Sequence, residues 1–121
     1  MKLSDKEWQV LEVLWGAADG LSLGQVVEAL RPATGWSRNT VLTYLTRMEA
    51  KGLVVIDKSG APHRYRAGVD REACAAQERG GLLDRVYQGS AGKLVAAFLK
   101  EEKLTAQERE ELRKLLDDME V

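Results

Sequence analysis

Apolar residues in the first fifty positions of the chain recur three and four residues apart, the spacing of helices that bury one face. Three helices are predicted, and each follows a serine that can accept a hydrogen bond from the backbone of the first turn: Ser4, Ser22 and Ser37. We expect these helices to end at Asp19-Gly20, at Pro32 and near Lys51. Their inward faces comprise Trp8, Val10, Leu11, Leu14 and Trp15, then Val26, Val27 and Leu30, and finally Val41, Leu45 and Met48 with Tyr44 adjoining.

The pattern changes after Gly52 to a short run of β-branched and apolar residues. Residues 53–58 predict a strand, the Ser-Gly-Ala-Pro sequence at 59–62 predicts a turn, and residues 63–66 predict the returning strand. Three helices followed by a two-stranded ribbon is the order of elements in a winged helix-turn-helix, a DNA-binding fold. The predicted fold class is therefore mainly α with a small β-hairpin wing.

After Asp70 the composition shifts to Ala, Glu, Arg and Leu, which are helix-forming residues. Helices are predicted over residues 71–87, 90–100 and 105–120, the last beginning with a capping box of Thr105 and Glu108. Gly80-Gly81 weakens the first of these helices, and Gly89 ends it. We predict a DNA-binding domain over residues 1–69 and a helical dimerisation region over residues 70–121.

Length and composition exclude several classes of protein. The 121 residues suit one small domain with an appendage. No run approaches the roughly 18 apolar residues of a membrane span, and Asp5 and Glu7 stand where a secretion signal would begin, so we expect a cytoplasmic protein without membrane insertion. One cysteine, Cys74, and one histidine, His63, are too few for a His/Cys metal site. We expect neither a cofactor nor enzymatic activity.

Positive charge is concentrated in the middle of the chain. Residues 31–66 contain seven Lys or Arg and two acidic residues, a net charge of +5, whereas the whole chain has a net charge of −1. The segments on either side, residues 1–30 and 67–121, each have a net charge of −3. A positive segment in an otherwise acidic protein is typical of binding to a phosphate backbone.

The outer face of the third helix is short, polar and nearly free of charge, unlike an ordinary solvated helix. Asparagine pairs with adenine, arginine with guanine, and a threonine methyl with the thymine methyl, and the first turn of a helix can meet phosphates. We therefore predict DNA contacts by Ser37, Arg38, Asn39, Thr40, Thr43, Thr46 and Arg47 of this helix and by Lys58, Arg64 and Arg66 of the wing.

Two other interpretations of this surface stay open. In the first, the face is a merely polar surface. In the second, it is part of a protein-interaction module whose basic side binds an acidic partner. A protein-binding face is expected to present aromatic or aliphatic anchors beside Asn39, Thr43 and Arg47.

Three apolar stripes in the last fifty residues predict self-association. A monomer would leave such stripes exposed, and a two-fold dimer matches the dyad symmetry of DNA half-sites. The alternative is that these helices fold back onto their own winged helix. The predicted dimerisation residues are Leu82, Leu83, Val86 and Tyr87, then Leu94, Val95, Phe98 and Leu99, then Leu112, Leu115, Leu116 and Met119.

Five segments in order resemble the penicillinase and methicillinase repressor family (BlaI/MecI/CopY) and together span essentially the full length. They are LSDKEWQVLEVLW, WSRNTVLTYLTRMEAKG, HRYRAGVDRE, LLDRVYQGS and KLVAAFLKEEKLTAQEREELRKLL. The resemblance implies a homodimeric repressor that binds a dyad operator in double-stranded DNA and leaves it when a signal arrives. In the best-known members a membrane sensor-protease detects β-lactam and causes cleavage in the dimerisation region, which implies such a protease as a further partner.

The chain departs from this family at three points. Leu42 stands where staphylococcal-type repressors have a basic residue and Asn39 where they usually have Lys, so the resemblance does not carry over the operator sequence. The cleaved Asn-Phe bond aligns with Ala97-Phe98, where the asparagine is missing. The paired Cys-x-Cys motifs of the copper-responsive branch are absent, which removes metal sensing of that type. In the third helix, called the reading helix from here on, the residues that match the family are Thr40, Thr43 and Arg47.

Overall fold

The computed structural model describes residues 2–119, which form six helices and a two-stranded antiparallel sheet. The chain divides into two compact units, Met1–Gln77 and Glu78–Val121. The boundary predicted between the DNA-binding domain and the dimerisation region, after residue 69, stays a prediction. The elements in order are α1 (Asp5–Trp15), α2 (Leu23–Thr34), α3 (Arg38–Ala50), β1 (Val54–Asp57), β2 (Arg64–Ala67), α4 (Arg71–Tyr87), α5 (Ala91–Lys100) and α6 (Ala106–Asp118).

The helix starts in the first unit agree with the sequence prediction. Ser4 and Ser22 form complete capping boxes with Glu7 and Gln25, and the Ser37 hydroxyl accepts a hydrogen bond from the backbone of α3. The three helices and the sheet enclose one core, formed by Leu3, Val10, Leu11, Leu14, Val26, Val27, Leu30, Val41, Leu45, Met48, Leu53, Val54 and Tyr65. The predicted inward faces are buried apart from Trp8, Trp15 and Tyr44, which are half-buried.

The prediction that the first helix ends at Asp19-Gly20 was wrong, because α1 ends at Trp15. The chain leaves the helix early in order to bring Leu21 beside the wing, where Leu21 and Tyr65 exchange two backbone hydrogen bonds of 2.9 and 2.7 Å. Gly20 makes this approach with a φ of +87°, and a Cβ there would lie 3.3 Å from the Tyr65 carbonyl oxygen. A long-range bridge thus overrides the local helix signal.

The prediction that Pro32 ends the second helix was also wrong, because α2 continues to Thr34. Proline lacks only its own N–H group, so in the last turn it removes one helical hydrogen bond. The helix ends at Gly35, which adopts a φ of +65° and donates its N–H to the Arg31 carbonyl oxygen at 2.9 Å. A left-handed glycine is therefore the stop signal here.

The wing is an antiparallel hairpin with a single register, in which Val55 pairs with Arg66 and Asp57 with Arg64. Tyr65 points into the core, whereas Arg64 and Arg66 are exposed on the other face. This alternation is the period of two residues that a strand imposes on its side chains.

Helices α4, α5 and α6 agree closely with the predicted spans, and Gly80-Gly81 lies within a continuous α4. Gln88 and Gly89, with φ of 51° and 81°, end α4, and the Ser90 hydroxyl caps α5. The Thr105 capping box is present at the start of α6. The final helix was predicted to run to Glu120, which lies outside the described residues. None of the described side chains in these three helices is fully buried.

Candidate nucleic-acid interface

Helix α3 divides into a buried face and an exposed face, as its periodicity predicts. Val41, Leu45 and Met48 have no solvent exposure. Every predicted DNA-contact residue of this helix region is exposed except Thr40, which is half-buried. The structure therefore brings Ser37, Arg38, Asn39, Thr40, Thr43, Thr46 and Arg47 together on or beside the outer surface of one helix.

The beginning of α3 is held by its own cap. The Ser37 hydroxyl accepts a hydrogen bond from the Thr40 backbone at 3.2 Å and lies 3.1 Å from the Thr40 hydroxyl. Trp36 stacks on Tyr44 with ring centroids 4.4 Å apart and an interplanar angle of 12°. These contacts fix the entry of the chain into α3, so Arg38 and Asn39 project from a rigid first turn.

Hydrogen bonds within α3 limit what each side chain can offer a base. The Thr43 hydroxyl donates to the Asn39 carbonyl oxygen at 2.9 Å, so its hydrogen is used inside the helix. Thr43 keeps its methyl group and its acceptor lone pairs for a ligand. Among the described residues, the side chains of Asn39, Thr46 and Arg47 have no hydrogen-bond or ion-pair partner and keep their full capacity.

The seven basic residues between positions 31 and 66 fall into two groups. Three are paired: Arg31 with Glu28 at 3.2 Å, Lys51 with Glu7 at 2.7 Å, and Lys58 with Glu49 at 3.8 Å. The other four have no ion-pair partner within residues 2–119. These four, Arg38, Arg47, Arg64 and Arg66, are called here the open arginines.

The Glu7–Lys51 pair joins α1 to the end of α3. Burial alone raises the pKa of Glu7, but hydrogen bonds from Lys51 and Ser4, together with the charge of Lys51, outweigh it and lower the pKa below its ordinary value. The carboxylate also accepts a 2.9 Å hydrogen bond from the Ser4 backbone. Lys51 therefore holds the end of α3 against α1, a role that the sequence pattern did not indicate.

The tip of the wing is ordered by Asp57. Its carboxylate accepts hydrogen bonds from the Ser59 backbone at 2.9 Å and from the Ser59 hydroxyl at 2.6 Å. These two bonds, with smaller contributions from the nearby Arg66 and His63, lower the pKa of Asp57. The turn therefore keeps its one acidic side chain engaged while Arg64 and Arg66 face outward.

A groove of about 710 Å³ separates α3 from the wing and the start of α2. Its floor includes Leu42, an exposed aliphatic residue of the reading helix that was not among the predicted contacts. The helical period could have indicated that Leu42 is exposed, because it places Leu42 on the outer half of the helix, about 60° from Asn39. The remaining lining residues are Ser22, Leu23, Gly24, Arg38, Ala61, Pro62, His63 and Tyr65.

The predicted dimerisation residues form the apolar surface of the second unit. Phe98 is 45% exposed and Met119 is 74% exposed. Leu82, Val86, Val95, Leu99, Leu115 and Leu116 are exposed as well, and Leu83, Tyr87, Leu94 and Leu112 are half-buried. The helices of this unit therefore leave these apolar side chains uncovered, and their role in dimerisation stays a prediction.

Other kinds of site receive no support from the described residues. Residues 2–119 contain no group of three His, Cys, Asp or Glu side chains placed to hold a metal ion. None of their helices combines the length and apolar character needed to span a bilayer.

Comparison with known proteins identifies relatives over nearly the whole chain. A family model described as "Penicillinase repressor" matches residues 3–118. The chain is 28% identical over 116 residues to the methicillin resistance regulatory protein MecI of Staphylococcus aureus, which covers 96% of this chain and 94% of that protein. It is 31% identical over 121 residues to the transcriptional regulator BlaI of Mycobacterium tuberculosis, which covers 98% of this chain and 86% of that protein.

A solved structure is similar to part of the chain. This structure, the monomeric form of BlaI from Bacillus licheniformis in complex with the blaP half-operator, superposes with a TM-score of 0.52. The two sequences are 28% identical, and the match covers 60% of this chain and 87% of that chain. The winged-helix fold class predicted from the sequence is thereby confirmed.

Proposed function

The chain belongs to the penicillinase repressor family, and from this premise we propose that two copies of it bind a dyad operator and repress transcription from the adjacent promoter. One observation carries the proposal: the polar outer face of α3, which includes Arg38 and Arg47, and the other two open arginines belong to the same small unit. A surface with hydrogen-bonding side chains in its middle and free cations beside them suits a DNA groove lined by phosphates. The similar BlaI structure, which contains a half-operator, supports one such unit per half-site.

In the proposed complex α3 lies in the major groove. Asn39 reads adenine, Arg47 reads guanine, and Thr43 presents its methyl group to thymine, since its hydroxyl hydrogen is already engaged. Arg38 in the first turn and Arg64 and Arg66 in the wing bind phosphates on either side. We propose contacts by Thr46 and Lys58 as well; Lys58 lies 3.8 Å from Glu49, and its side chain is exposed.

The second unit supplies the dimer in this proposal. Its exposed apolar residues are covered by the same residues of another copy, as two-fold symmetry requires. Two reading helices related by that symmetry fit half-sites about one helical turn apart, or a multiple of it. Because its target is operator DNA, we place the protein in the cytoplasm.

Release follows from separating the two half-site readers. Loss of linked binding lowers affinity by roughly 10²–10⁴ without any change in the reading face. Cleavage by a membrane sensor-protease, as the family resemblance implies, is one route. Ala97 replaces the asparagine of the bond cleaved in staphylococcal-type repressors, so we propose that Ala97-Phe98 is a poor substrate for such a protease.

Footprinting on the DNA upstream of the gene for this protein tests the proposal. We expect two protected half-sites related by a dyad. Arg47→Ala is expected to weaken binding by about 1–3 kcal/mol and to relax the preferred sequence at one position of each half-site. Unchanged affinity and specificity in Arg47→Ala would show that the assigned reading face is wrong.

A further inference from the structure

Leu42 is an aliphatic side chain at a position where a DNA-reading helix ordinarily presents polar groups. It is 39% exposed, although Val41 and Leu45 beside it are completely buried. It lies one turn after Arg38 and one turn before Thr46, both of which are exposed. A single exposed leucine is common on protein surfaces, so the inference depends on where this one lies.

Leu42 faces open space on the wing side of α3. It lines the 710 Å³ groove together with Pro62 and His63 at the tip of the wing. The wing leaves the leucine exposed in this groove, and the neighbouring Arg38 has no ion-pair partner within the described residues. The side chain is therefore accessible from the direction in which DNA approaches α3.

The major groove offers one apolar group to such a side chain. Of the four bases only thymine presents a methyl group there, beside its O4 acceptor, whereas adenine, guanine and cytosine present only donors and acceptors to a leucine. An isobutyl group pressed on a base edge thus favours thymine through contact and disfavours the other bases through desolvation.

We propose that Leu42 is a specificity-determining residue that selects a thymine in each half-site through contact with its C5-methyl group. The thymine lies on the wing side of the base pairs that Asn39 and Thr43 read, because Leu42 lies between those two residues and the protein groove that separates α3 from the wing. The inference rests on the proposed function, since it requires α3 to enter the major groove.

Deoxyuridine differs from thymidine only by this methyl group and provides the test. An operator is first selected from random duplexes with the full-length wild-type protein. Each thymine of that operator is then replaced in turn by deoxyuridine, symmetrically in both half-sites, and the dissociation constant is measured. Burial of one methyl group predicts an effect of about fourfold per half-site, or roughly 15-fold for both, at the position that Leu42 contacts.

The same series is measured with Leu42→Ala, which removes an exposed side chain and should leave the fold intact. We expect this variant to bind the thymine operator more weakly and to lose the deoxyuridine effect at one position only. Effects at a thymine read by Thr43 should persist in Leu42→Ala and disappear in Thr43→Ser, the matched control.

Two results would overturn the inference and can be told apart from failure of the proposed function. If Leu42→Ala weakens binding but leaves every deoxyuridine effect unchanged, Leu42 contacts a sugar or the wing and reads no base. If Leu42→Ala has the affinity and base preference of the wild type, Leu42 makes no contact with DNA. If the wild-type protein selects no operator at all, the proposed function itself is wrong.

Discussion

Removal of one open arginine should change how DNA binding depends on salt. Arg64 is exposed on the wing and has no ion-pair partner within the described residues, so its guanidinium is available to a phosphate. Each phosphate contact contributes about 0.9 to the slope of log K against log salt concentration. A dimer loses two contacts in Arg64→Ala, so the negative slope should become shallower by about 1.8. Relative to 1 M salt, this amounts to roughly 60-fold weaker binding at 0.1 M.

Arg31→Ala is the matched control, because it also removes one exposed arginine from the positive segment. Arg31 already pairs with Glu28 at 3.2 Å, so we expect its removal to change the salt slope less than the loss of a direct phosphate contact does. Fluorescence anisotropy of a labelled operator between 0.05 and about 0.4 M salt measures both slopes, a range over which counterion release dominates. Equal slopes for the wild type and Arg64→Ala, or equal losses in the two variants, would refute the division into paired and open cations.

Three further predictions concern assembly, stability and release. Phe98→Asp or Leu116→Asp should give monomers in sedimentation while the first unit stays folded, because an unpaired charge cannot be buried in an apolar interface; a monomeric wild type at micromolar concentration would contradict the dimer. Glu7→Gln should lower the free energy of unfolding at pH 7 by about 1–2 kcal/mol, a reduced value because Lys51 is half exposed. Because the pKa of Glu7 is lower in the folded state, its carboxylate stabilises the fold above the ordinary value of 4.5, and this stabilisation is lost as the pH falls below it. The difference in the free energy of unfolding between the wild type and Glu7→Gln, measured by urea denaturation, should therefore shrink below pH 4.5. Truncation after Gln77 should give a folded monomer with weak, salt-sensitive binding in a mobility-shift assay; tight binding to the full operator would disprove release by separation.

Local signals in the sequence predict most of the fold. Serine and threonine caps act within their own first turn, so the starts of the helices follow directly from positions such as Ser4 and Thr105. One of the two wrong helix ends depends on information that is not local, because Leu21 pairs with Tyr65, which lies 44 residues later. The other depends on a local signal that was misjudged: Pro32 is tolerated in the last turn of α2, and Gly35 ends the helix.

The reading face was predicted because it follows from helical period alone, whereas the state of each cation does not. Lys51 and Arg47 look alike in sequence, but Lys51 lies beside Glu7 of another helix. Leu42 was not among the predicted contacts, although the helical period places it on the outer half of α3. The structure shows that the wing leaves it exposed. Base contact by any of these side chains stays a prediction.

Ion pairing within the first unit also removes repulsion from the proposed interface. The carboxylates between residues 20 and 66 are Glu28, Glu49 and Asp57. Glu28 and Glu49 pair with Arg31 and Lys58, and Asp57 is occupied by the turn at Ser59. Each paired cation therefore offsets a negative charge of the same unit that would otherwise repel the phosphates, and the open arginines provide the attraction. It follows that Lys58 can contribute to DNA binding without touching DNA: its removal exposes Glu49, and the resulting loss of affinity is electrostatic repulsion that salt relieves.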